Sequence, residues 1–157
     1  MFTTATGASP PRSVRALALP DLPALLSLYR ELQPRDPELP FAELSERFRE
    51  ICASPRLLHL GAFAGAELAA TAHAVMVPNL SHGARPYAVI EGVVTATRFR
   101  RQGFGSLVIQ ELVEWCRAGG CHKAMLLSGQ SRVEAHQFYA ALGFDGDAKR
   151  GFVRVLA

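Results

Sequence analysis

Apolar positions along this chain change period several times, and each change marks an element. Val14, Leu17 and Leu19 sit among charged and small residues and predict a first strand over 12–19. Pro20-Asp21 opens a run in which Leu22, Leu25, Leu26, Tyr29 and Leu32 recur at helical spacing. Asp21 is a suitable cap, Pro23 is tolerated in a first turn, and Pro34 and Pro37 end the helix. Phe41, Leu44, Phe48, Ile51 and Cys52 form the apolar face of a second helix over 41–52, charged on its other side and closed by Pro55. Residues 57–64 and 67–77 read as strands joined by a tight turn at Gly65-Ala66. Ala69, Ala70, Ala72 and Ala74 leave room for something to pack close against the second of them. A polar connection over 78–86 leads to an apolar strand over 87–95. A helix over 103–117 follows, with Phe104, Leu107, Val108, Leu112, Trp115 and Cys116 on one face and Gly119-Gly120 as its stop. A strand over 122–128 comes next. Ser131-Arg132-Val133-Glu134 reads as a capping box, which gives Glu134 a structural task, and it opens a helix striped by Val133, Phe138 and Leu142. Residues 150–156 predict a closing strand beside the previous one. The strand, helix and strand from 87 to 128 imply a parallel unit with a right-handed crossover, which makes the fold class α/β (α+β).

Composition narrows the class. The chain has 157 residues, and its length fits one domain over 13–157 behind a flexible tail over 1–12. Hydrophobic residues make up 49% and charged residues 20%, as in globular chains. No apolar run reaches the length of a membrane span, and the first dozen residues lack the apolar core of a secretory signal. Cys52, Cys116 and Cys121 are an odd count without a C-x-x-C pair, which fits buried thiols in a reducing cytoplasm. The net charge of +3 is mild, and basic residues interleaved with aromatic platforms are missing, which argues against nucleic-acid binding. The five histidines show no metal-ligand spacing, and no Ser-His-Asp arrangement suggests a covalent acyl-enzyme.

The chemistry concentrates where strand 87–95 runs into Arg100-Arg101-Gln102-Gly103-Phe104-Gly105-Ser106 and a helix start. Two glycines there let backbone N–H groups approach a ligand, and the first helical turn favours an anion. Arg100 and Arg101 add positive charge, so the stretch reads as a pyrophosphate cradle. No lysine follows Gly105, which excludes an NTPase phosphate loop. Val108 stands where a dinucleotide fingerprint needs its third glycine. Glu91 is the one acidic residue of the apolar strand; such a carboxylate is costly unless paired, solvated or functional, and a catalytic role stands beside a structural one. His73 and Tyr29 read as core residues or as members of a site.

Arg100, Gly103 and Gly105 fit an Arg/Gln-x-x-Gly-x-Gly/Ala pattern, and Ala135-His136-Gln137-Phe138-Tyr139-Ala140-Ala141-Leu142-Gly143-Phe144 fits A-x-x-F-Y-x-x-L-G-F. With these two motifs in this order, the sequence resembles the GNAT superfamily of acetyl-CoA-dependent N-acyltransferases from about Leu57 onward. The resemblance implies a mixed, largely antiparallel central sheet with one parallel, splayed strand pair, flanked by about four helices. It implies acetyl-CoA as co-substrate and no metal. The coenzyme would be held by the main chain of Val93, Val94 and Thr95 and by Arg100, Arg101, Gln102, Gly103, Phe104, Gly105 and Ser106. Ile90-Glu91-Gly92-Val93-Val94 is similar to strands whose carboxylate serves as general base, with residues 91 and 93 sharing a face by strict alternation. Tyr139 would protonate the leaving thiolate. The family's usual asparagine is replaced here by Arg132, which can reach a coenzyme phosphate instead. The loop carrying Asn79, His82 and Arg85 lies on the acceptor side of such a fold, or is an ordinary hairpin connection. The expected acceptor is a primary amine on a small molecule rather than on a protein, and a homodimer is expected. A non-catalytic acyl-CoA-binding module is the alternative.

Overall fold

The computed structural model describes residues 10–156. Five strands form one sheet in the order β1-β2-β3-β4-β5: β1 (Arg12–Ala16), β2 (Leu57–Ala64), β3 (Glu67–Val77), β4 (Tyr87–Thr95) and β5 (Ala124–Met125). The first four pair antiparallel and β4 pairs parallel with β5. Helices α1 (Leu22–Leu32) and α2 (Phe41–Ala53) precede β2, α3 (Phe104–Ala118) crosses from β4 to β5, and α4 (Val133–Ala141) follows β5. This is the mixed, largely antiparallel sheet that the sequence leads one to expect. Among the described residues no helix is long and apolar enough to cross a membrane.

Alternation along the strands divides the interior into two cores. Leu60, Ala62, Ala70, Ala72, Ala74, Ala88 and Ile90 face α3, which presents Phe104, Val108, Ile109, Leu112 and Cys116. The alanines of β3 are nearly inaccessible, and their short side chains let α3 lie close to the sheet centre. On the opposite face Leu22, Leu25 and Leu28 of α1 and Phe48 of α2 pack over Phe63, Leu68 and Val94. The two faces thus fix the two things a site needs: α3 is held at the end of β4, and α1 runs along its side.

Several boundaries differ from the sequence expectation. β1 starts at Arg12, inside the stretch read as a tail, whose residues 1–9 lie outside the described residues, and it ends at Ala16. A 3-10 turn over Leu19–Asp21 precedes α1. Asp21 caps this turn rather than α1: its carboxylate accepts from the Ala18 N–H at 2.8 Å and pairs with Arg15 at 2.7 Å. The guanidinium of Arg15 holds the Asp21 carboxyl below its usual range. β5 keeps only two paired residues, because the chain diverges from β4 after Met125. The closing strand over 150–156 is not formed. Phe152, Val153, Val155 and Leu156 are exposed, so these apolar residues find no apolar surface to cover them among the described residues.

Candidate active site

β4 does not alternate cleanly, and the break lies in the stretch that borders the site. Thr71 pairs with Val94 and His73 with Glu91, so one β3 residue, Ala72, faces both Gly92 and Val93. This is a β-bulge with glycine in the left-handed region, φ 65°. Directly paired residues share a face, so Glu91 and Val94 lie together on the α1 side. Val93 turns with Ile90 to the α3 side. The expectation that 91 and 93 share a face is therefore wrong, because the extra residue shifts the period by one.

Position 92 is glycine for a second reason. A Cβ there would stand 2.9 Å from the Tyr29 hydroxyl and 2.9 Å from His73 Nδ1. Both side chains are wedged behind the bulge. Gly92→Ala is expected to destabilise the fold by about 1–3 kcal/mol, from left-handed strain plus the clash, as read by urea denaturation.

On its other side β4 is joined to β5 only at Ala88 and Val89. From Ile90 onward that edge has no strand partner among the described residues, and a cleft of about 190 Å³ opens between the diverging strands. Ile90, Glu91, Gly92 and Val93 form one wall, and Leu126, Leu127, Ser128 and Gly129 the other. Arg132 and Tyr139 close one end, and Leu32 and Gln33 come from the end of α1. Glu91 is exposed. Tyr139 is 8% exposed, held edge-on by Phe138 and Phe144. Burial pushes its phenol up; Arg132 nearby works against the rise and Glu91 adds to it. Tyr139 therefore keeps its proton at neutral pH. Ser128 Oγ is buried without a partner among the described residues.

The cradle follows β4 directly. Glu31 of α1 accepts from the N–H and hydroxyl of Thr97, at 2.9 and 2.8 Å, and so pins the 3-10 turn Thr97–Phe99 that leads into it. Arg101 and Gly103 both take positive φ, 60° and 84°. Gly103 is the N-cap of α3 and supplies no side chain to bond the first-turn N–H groups, so these donors of Phe104, Gly105 and Ser106 are left for a ligand. Gly105 is where the helix meets the sheet: a Cβ would come within 2.9 Å of Thr95 Oγ1. Arg100 and Arg101 are exposed at this mouth. The exposed Gln102 bonds back to its own loop, its side-chain amide donating to the Arg98 carbonyl at 2.9 Å, while its main-chain carbonyl accepts from Arg12 at 2.6 Å. Phe104 is buried beneath Phe99 and Arg12 and holds the cradle through packing. The residues present fit a pyrophosphate: free donors, a helix N-terminus and two arginines.

The capping box at Ser131 is not formed. Arg132 is the N-cap of α4, without a side-chain cap bond, and Glu134 reaches Arg101 at 3.9 Å. The Arg132 side chain lines the cleft. Asn79, His82 and Arg85 are occupied elsewhere. The Asn79 amide donates to the carbonyls of Ser81 and Arg85, Arg85 donates to those of Gly120 and Cys121, and His82 stacks on His122 at 4.0 Å. Sequence reasoning missed Gln33, Leu127 and Ser128. Ser128 ends the stretch read as a strand, and its unpaired hydroxyl shows only once β5 diverges.

Behind the bulge, His59 is pushed down to about 3, mainly by burial and further by His73, which burial also lowers. The unfolded chain then binds protons that the folded chain refuses. Stability from these neutral imidazoles is fully present above the ordinary histidine value of about 6.5 and is lost as pH falls toward 3, on the order of 1 kcal/mol per pH unit for His59. Urea titrations from pH 7 to pH 4 should show this slope, and His59→Gln should flatten it.

Comparison with known proteins gives the same direction. The Acetyltransferase (GNAT) family model matches residues 23–144. The aminoglycoside N(6')-acetyltransferase type 1 of Serratia marcescens is 34% identical over 131 residues, covering 79% of this chain and 85% of that protein. A putative acetyltransferase from Agrobacterium tumefaciens superposes with a TM-score of 0.86 at 39% identity, over 91% of this chain and 99% of its own. AAC(6')-Iy, solved with the bisubstrate analog CoA-S-monomethyl-acetylneamine, shares the fold with a TM-score of 0.77 at 21% identity, over 94% and 99% of the two chains. The chain belongs to the GNAT family of acetyltransferases.

Proposed function

We propose that this acetyltransferase moves an acetyl group from acetyl-CoA to a primary amine on a small molecule, by direct attack with both substrates bound. The observation that carries the reading is the splay of β4 from β5: it leaves a strand edge free beside the Glu91–Tyr139 cleft and aims that edge at the anion cradle. Acetyl-CoA supplies the activated thioester when bound. Arg100, Arg101, the N–H of the Gly103 cap and the first-turn N–H groups of Phe104, Gly105 and Ser106 hold its pyrophosphate, with Gln102 shaping the loop. The main chain of Val93, Val94 and Thr95 bonds its extended arm, and Arg132 offers a further cation at the cleft end.

Each reacting atom then has a partner. A primary amine is mostly protonated at neutral pH, and in this reading Glu91 takes that proton, directly or through water. A main-chain N–H near Val93, beside the bulge, stabilises the oxygen that becomes negative on attack. Tyr139, buried and protonated, donates to the leaving sulfur. The three free thiols fit a reducing compartment, the cytoplasm. Initial rates of thiol release over a panel of primary amines, aminoglycosides included, test this function. Coenzyme-dependent release with at least one small amine is the expected result, and release with none would overturn it.

A further inference from the structure

A second cavity, of about 250 Å³, lies on the other side of the bulge, between α1, α2 and the sheet. Leu26, Leu44 and Phe48 make an apolar wall, and Tyr29, His59 and His73 make a polar end. His59 Nε2 and the Tyr29 hydroxyl are 3.2 Å apart, and the two imidazole centroids 5.0 Å. Phe48 packs edge-on against His59 at 5.9 Å. His59 is 6% exposed, yet its Nδ1, like that of His73, has no partner among the described residues. Burying two such nitrogens unpaired is costly, and a ligand can relieve it. Apolar cavities of about 150 Å³ already hold a benzene ring, so this one has room for a larger body.

The lining also sets the charge. Both imidazoles are kept neutral by burial, and Arg47 at the rim is paired with Glu50 at 3.0 Å. We propose that this cavity binds a small neutral ligand with a ring-sized apolar body and one hydrogen-bonding group, which sits at the His59–His73 end. Tyr29 and His73 are also the side chains that stand behind Gly92, so the polar end of this cavity adjoins the bulge that borders the cleft. The same chemistry has two sources: the apolar end of the amine acceptor, or a separate metabolite. The binding itself does not rest on the acetyl-transfer reading.

Indole is a suitable probe, and the test is its titration into the full chain while the imidazole 15N signals of His59 and His73 are followed. Saturable shifts of both rings are expected, with a Kd of about 0.1–1 mM. Leu44→Trp, which fills the cavity from its wall, should weaken binding by about tenfold or more, and charged benzoate should bind the wild type more weakly by a similar factor. If neither imidazole shifts saturably in the wild type, the proposal is overturned whatever the variant does. It is also overturned if a folded Leu44→Trp binds indole as before. Indole competing with the amine in initial rates would assign the cavity to the acceptor's apolar end, and non-competitive behaviour would assign it to a separate ligand. If no amine is acetylated, the imidazole titration still decides the site.

Discussion

Tyr139→Phe is expected to lower kcat by about 10²-fold or more while leaving the affinity for acetyl-CoA nearly unchanged. The change removes one oxygen from a side chain whose ring is fixed by Phe138 and Phe144, so the packing of α4 survives. What is lost is a hydroxyl that burial keeps protonated through neutral pH. On the proposed mechanism the coenzyme would then leave as an unprotonated thiolate. Pre-steady-state rates with a fast amine separate chemistry from product release, and calorimetry reads the binding. If the chemical step in the variant ran at the wild-type rate, Tyr139 would have no part in the transfer.

The second large effect is on binding. Ser106→Glu should weaken acetyl-CoA by about 10²-fold, since a carboxylate placed in the first turn of α3 repels the pyrophosphate that the same N–H groups attract. Ser106 is three residues after the Gly103 N-cap, a position where acidic side chains suit a helix. The folded state is therefore expected to be as stable as wild type or slightly more so. That opposition separates the cradle from general damage, which Gly105→Glu does not do, because its Cβ would already press on Thr95. Unaltered coenzyme affinity in a folded Ser106→Glu protein would remove α3 as the anchor.

Much of this site is legible in the chain. The cradle is local: Arg100 to Ser106 are adjacent in sequence, and glycines beside a helix start carry their geometry with them. Phe138 is legible for the same reason, as part of a helix stripe next to a glycine stop, while Tyr139, one residue off that stripe, is singled out by the A-x-x-F-Y-x-x-L-G-F resemblance. The strand pattern and the two faces of the sheet follow from alternation, which the alanines of β3 keep for most of its length.

What the sequence hides is relational. The bulge at Gly92 depends on how β3 and β4 pair, and glycine in a strand does not say which way the register slips. The side chains that crowd position 92, Tyr29 and His73, come from residues far apart in the chain. The capping pattern at Ser131 to Glu134 was sound locally, but the helix begins later and Glu134 meets Arg101 instead. The closing strand over 150–156 has the apolar residues, yet β5 turns from β4 too early to present it an edge. In each case a local preference yields to a contact that only the assembled sheet defines.

Calorimetric titration of the purified chain with acetyl-CoA, with ATP and NAD as comparisons, tests the central claim most directly. Binding at one site per chain, micromolar for acetyl-CoA and absent or far weaker for the two nucleotides, is the predicted result. No acetyl-CoA binding by a chain shown by circular dichroism to be folded would contradict it, and the glycine turn before α3 would then be a tight helix start without a ligand.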